Sequence, residues 1–149
     1  MTSTNLKEAL DVGVAAFERA GVSHQEIRDV FMSLDETIKE ATADRVSLVV
    51  AIDGLVQNTS DYFIGALRGG EGLSVWKSWL LQAHSSYNQT EELFQARVSP
   101  HGYPVMLKFL DERTVCHDRE ALESTLGDLL RRPEVGGKVR NLRDNLTQG

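Results

Sequence analysis

Residues 91–110 read EELFQARVSPHGYPVMLKFL, and the way this stretch folds decides how the rest of the chain is organised. Ser99-Pro100-His101-Gly102 has the chemistry of a tight turn. Proline fixes φ at the first central position, serine favours the position before it, and glycine takes the left-handed residue that closes the loop. The flanking arms, Glu91–Val98 and Tyr103–Leu110, alternate as strands do. Phe94, Ala96 and Val98 share one face, and Tyr103, Val105, Leu107 and Phe109 share the matching face of the second arm. Pro104 cannot donate to a ladder, so the start of the outgoing arm should look toward a sheet edge. The opposite face of the hairpin mixes Leu93, Met106 and Leu110 with Gln95, Arg97 and Lys108. Either another element covers that face or it is a binding surface.

Downstream, Asp111-Glu112-Arg113 is a tight polar connection, and Thr114-Val115 can add a short edge pairing. Asp118 is a natural N-cap for a helix that buries Leu122, Leu126, Leu129 and Leu130. Arg131 and Arg132 suit its C-terminal dipole, and Pro133 stops it. Val135, Val139, Leu142 and Leu146 then mark a last helix, weakened by Gly136 and Gly137.

Upstream, Leu73–His84 carries both tryptophans, and its aromatic content and glycine-rich entry favour a strand over a helix. Trp76 and Trp79 would then point to opposite faces, one into the core and one available as an interface anchor. Val46–Ile52 is rich in β-branched residues and ends at Asp53-Gly54, a type I′ turn signal, with a second strand near Leu55–Gln57. Between these lie a loop at Asn58–Asp61, a short helix or strand at Tyr62–Leu67, and the connector Arg68–Gly72. At the N-terminus, Leu6, Leu10, Val14 and Phe17 mark one helix face, and Gly21 reads as its cap. Ser23-His24-Gln25-Glu26 matches a capping box that opens a second helix with Ile27, Val30, Phe31, Leu34 and Ile38 inward. The expectation is an α+β chain forming a single domain over 1–149. A helical hairpin in 1–44 precedes an antiparallel sheet of about four to five strands in 45–110, and two helices in 118–147 close the chain.

Length and composition set the outer limits. The 149 residues can bury a core without disulfides, and the one cysteine, Cys116, excludes a disulfide framework or a Cys-rich zinc site. No apolar run is long enough to span a bilayer, and no signal-like segment opens the chain, so a cytoplasmic protein is expected. The net charge of −6 is uneven: residues 1–44 hold nine acids and four bases, whereas 131–149 hold two acids and five bases. An acidic body with a short basic end suits a protein partner, most simply a basic one, better than a nucleic-acid backbone.

Several constellations look like chemistry and have plainer readings. Cys116-His117-Asp118 names the members of a thiol triad, yet three consecutive residues cannot readily converge on one reaction centre. Ser74-Val75-Trp76-Lys77 matches a Ser-x-x-Lys motif without its companion motifs. Arg68-Gly69-Gly70-Glu71-Gly72 lacks the Lys-Ser/Thr of a phosphate cradle. His24, His84, His101 and His117 lie in four segments with no metal-ligand spacing. The basic cluster Arg131, Arg132, Lys138, Arg140 and Arg143 lacks the aromatics that stack bases. The expected function is therefore a non-catalytic protein-binding module, of the inhibitor, immunity, adaptor or chaperone kind, with no cofactor or metal. Its contact residues would be Trp76, Leu93, Arg97, Met106 and Lys108. The alternative is a small enzyme or ligand-binding domain with a site around His101, Tyr103 and His117. Self-association through a sheet edge is a third possibility.

Overall fold

A computed structural model describes residues 2–52, 54–69, 75–84 and 89–144. Asp53, residues 70–74 with Ser74, the loop at 85–88, and Leu146 lie outside the described residues; of the expected connector Arg68–Gly72, Arg68 and Gly69 instead continue a helix. The hairpin forms as its pattern predicts, from β4 (Thr90–Ser99) and β5 (Gly102–Phe109). Around it the sheet adds β1 (Val46–Ile52), β2 (Leu55–Asn58), β3 (Lys77–Ala83) and β6 (Glu112–Cys116). The order is β2-β1-β3-β4-β5-β6, every pair antiparallel, so six strands stand where about four to five were expected. Pro104 follows a cis peptide bond, and pairing of β5 with β6 starts only at Val105. The strand is thus locally uncovered on that side where the proline falls.

Four helices complete the chain: α1 (Thr2–Ala41), α2 (Thr59–Gly69), α3 (Arg119–Leu130) and α4 (Pro133–Asp144). The expected break near Gly21 is absent, and one continuous helix replaces the helical hairpin. The reason lies in what the capping-box residues do instead. His24 Nε2 lies 3.1 Å from the Ser99 carbonyl oxygen, and Tyr103 Oη donates toward Glu26 Oε1 at 3.4 Å. Gly102, at φ +102°, lets the turn close directly against Ser23, where any β-carbon at 102 would collide with that side chain. Residues that would have capped a new helix thus receive the β4–β5 turn. That tertiary contact outweighs the cost of about 1 kcal/mol for a mid-helix glycine.

The core lies between the sheet and the helices. Phe31 of α1 packs on Trp79 with ring centroids 4.7 Å apart, on Phe63 of α2 at 5.5 Å and on Phe94 at 6.0 Å. Tyr62 meets Trp79 edge-on at 5.3 Å. Leu122, Leu126 and Leu129 of α3, and Val135 and Leu142 of α4, belong to the same contiguous cluster. Asp118 caps α3 as its sequence predicts, Oδ1 accepting from the Ala121 N–H at 2.8 Å. On the β2 side of β1, Leu48 lies beyond the last β1–β2 pair, Val49 with Asn58, and takes side-chain partners. Its N–H donates to buried Asp35 Oδ1 at 2.9 Å, and its carbonyl accepts from Thr59 Oγ1 at 2.9 Å. Lys39 Nζ holds the other Asp35 oxygen at 3.1 Å. The described helices include none long and apolar enough to cross a membrane.

Candidate functional site

All four helices feed one core, so the alternation along each strand leaves the second face of the sheet without a helix among the described residues. On β5, Val105, Leu107 and Phe109 point to the core, and Met106 and Lys108 point away. Strand register then fixes their neighbours. Met106 pairs with Arg97 and with Val115, while Lys108 pairs with Gln95 and with Arg113. Trp76 enters this face just ahead of β3, and the Arg113 guanidinium sits 5.7 Å from its ring centroid. Because Arg113 belongs to β6, the indole and the guanidinium meet above the two intervening strands.

Three cations, Arg97, Lys108 and Arg113, therefore share a helix-free surface with Trp76 and Met106. Lys108 and Arg113 stand directly opposite each other, a like-charge cross-strand pair that is unfavourable without a counter-charge. None of the three forms an ion pair among the described residues. Trp76, Met106 and Lys108 are half-buried, and Arg97 and Arg113 are exposed. Toward β1 the same face dips into a shallow concavity of about 370 Å³ lined by Ser47, Val49, Val56, Asn58, Gln82 and His84.

Of the five residues expected to make this surface, Trp76, Arg97, Met106 and Lys108 come together on it. Leu93 does not: it is 1 % exposed and part of the core. The β3–β4 register shifts between Trp79 and Leu80, pairing them with Phe94 and Glu92, so Leu93 is the extra residue of a bulge. That inserted residue breaks the simple alternation that had placed Leu93 outside. Arg113 joins the surface instead. No local pattern marks it, since its role depends on β6 pairing with β5.

Among the described residues, the members of the competing site sit in separate local settings. His101 is exposed in the turn, its N–H donating to Ser99 Oγ at 3.2 Å, and His117 is exposed before α3. Tyr103 is half-buried, and burial followed by the nearby Glu26 carboxylate pushes its hydroxyl up to about 12. The thiol of Cys116 is buried 3.5 Å from Thr125 Oγ1, and that burial raises its pKa, while Asp118 is occupied as a cap. Cys116 and Asp118 thus have separate structural jobs, and His117 stands exposed between them. No group of three or more His, Cys, Asp or Glu side chains able to hold a metal occurs among the described residues. The C-terminal basic cluster is engaged as well. Arg131 pairs with Asp128, Arg132 with Glu112, and both Arg140 and Arg143 with Asp144, while Lys138 Nζ donates to the Glu92 carbonyl.

No protein-family model matches the chain, no curated protein matches its sequence, and no solved structure matches it.

Proposed function

We propose that this chain is a non-catalytic protein-binding module whose helix-free sheet face takes an acidic segment of a partner protein. The observation that supports it is the cluster of Arg97, Lys108 and Arg113, without an ion pair among the described residues, beside Trp76 and Met106. An aromatic anchor, an adaptable methionine and arginines gathered on one face are the composition that interfaces favour. The net charge of the whole chain is negative and pointed to a basic partner, but a partner meets the local field of the face it docks on. At this face the local charge is positive. A carboxylate between Lys108 and Arg113 would relieve their mutual repulsion and gain charge-assisted hydrogen bonds. Nucleic acid is the weaker fit, because three cations and one aromatic on an otherwise acidic chain make a small phosphate footprint.

Affinity capture from the native host with the full chain, followed by mass spectrometry after nuclease treatment, tests this reading. A stoichiometric protein is expected, bound through an acidic segment, retained by the wild type and lost with Arg97→Glu/Lys108→Glu. Capture that survives both that double variant and Trp76→Ala would refute the assignment of this face. A nuclease-sensitive nucleic acid as the only ligand would refute the protein partner.

A further inference from the structure

The first half of α1 packs on nothing described. From Asn5 to Val22 every residue except Ala15 and Ala20 is exposed. Leu6, Leu10, Val14 and Phe17 leave 70, 67, 48 and 80 % of their surface open. These four fall on one side of a helix that runs about 27 Å at 1.5 Å per residue. Most helical stability in proteins comes from burying an amphipathic face, and this half of the helix leaves its apolar face open among the described residues. We infer that a second copy of this chain covers the stripe. The two helix halves run antiparallel, with Leu6 of each opposite Phe17 of the other and Leu10 opposite Gly13.

Three features of the segment select this occupant. The seam sets large against small, Leu10 over Gly13, and is flanked by Ala9, Ala16 and Ala20, so two helices can approach closely. Glu8 and Arg19 lie opposite the seam, while Lys7, Asp11 and Glu18 share one flank; the antiparallel register brings Lys7 of one copy alongside Glu18 of the other, twice by symmetry, against one like-charge approach of the two Asp11 at the axis. The body begins at Ser23, where the β4–β5 turn docks. A parallel pair would force both bodies to the same end, whereas the antiparallel pair sends them to opposite ends.

The area is sufficient for a specific contact. Each of the four large side chains removes roughly 60–120 Å² of apolar surface when buried. Both copies together, with the alanines between, reach about 1,000 Å², the size at which specific interfaces begin. A reversible dimer in the micromolar range is expected.

Sedimentation of the full chain from about 1 to about 300 μM tests it. The expected result is a monomer at the low end and a dimer at the high end. Phe17→Glu should weaken association at least ~30-fold while leaving the dilute-solution thermal midpoint unchanged, because Phe17 touches no core residue. Under mild oxidation, Leu6→Cys mixed with Phe17→Cys should cross-link the two variants to each other. A monomeric mass throughout, or an undiminished Phe17→Glu dimer, would overturn the proposal. Cross-linking of Leu6→Cys to itself in place of the mixed product would overturn the antiparallel register.

Discussion

Asp35 shows how much one side chain can settle in this fold. It is buried on α1, yet both oxygens are engaged: one by the Leu48 N–H on the β2 side of β1, the other by Lys39. Asp35→Ala leaves the amide buried and unpaired, and should lower stability by about 1–3 kcal/mol. Asp35→Asn keeps an acceptor for that amide and should cost less; urea unfolding of both variants checks the order. The tyrosines carry a pH signature. Tyr62 is held up to about 12 by burial, and Tyr103 to about 12 by burial and Glu26, against an ordinary value of 10.0. Between about pH 10 and 12 the unfolded chain has released protons that the folded chain still holds. This contribution is therefore fully present below 10 and lost as pH rises through the folded values. Stability should fall over that window, and ultraviolet absorbance of phenolate should appear late for these two residues. Cys116, buried with its thiol kept protonated, should react with iodoacetamide at pH 8 only as fast as the protein opens. Rapid alkylation of the native form would contradict its placement.

At the scale of elements, the two halves of α1 predict opposite mutational outcomes. Phe31 lies at the centre of the aromatic cluster, and Phe31→Ala should cost about 3–5 kcal/mol. Phe17 is 80 % exposed, and Phe17→Ala should fall within about 0.5 kcal/mol of wild type when measured on dilute monomer. Equal losses at the two positions would mean the helix is buried along its whole length. The same helix marks the limit of what could be read from sequence. The hairpin turn and the Asp118 cap were legible because proline, glycine and aspartate act on neighbours a few residues away. The continuity of α1 was not, because Ser23 and Glu26 obey a local capping rule and a distant contact at once. The contact with Gly102 and Tyr103 decides between them. Leu93 was misplaced for a related reason: one inserted residue at the β3–β4 pairing reverses a period-2 pattern, and nothing within the strand announces it.

Considered whole, the molecule separates its charges from its net charge. The basic residues near the C-terminus are consumed in ion pairs and a backbone contact, whereas Arg97, Lys108 and Arg113, which form no ion pair among the described residues, share the helix-free sheet face. Four of the five residues of the candidate surface were legible because they follow from alternation along the hairpin and from the odd spacing of the tryptophans. Arg113 required the strand order, which places β6 beside β5 and brings its guanidinium to Trp76. If an acidic segment binds here, its affinity should fall with added salt, because the cations are solvent-facing and a Debye length shrinks from about 10 Å at 0.1 M to about 3 Å at 1 M. Titrating the captured partner in rising sodium chloride measures this. An affinity flat in salt would shift the binding role to the shallow concavity around Val49 and Val56 at the other end of the sheet.

The close seat of the β4–β5 turn on Ser23 has a mechanical side. It is the last bracket on α1 before the helix leaves the body, so the free half behaves as a lever pivoting there. Over about 27 Å of arm, a tilt of about 5° moves the tip by roughly 2 Å. That is enough to lift one side chain out of register with whatever it meets. A larger residue at position 102 would thus act at a distance: besides straining its own turn, it would re-aim an arm whose far end lies many residues away. The smallest side chain in the hairpin sets the bearing of the longest element in the protein.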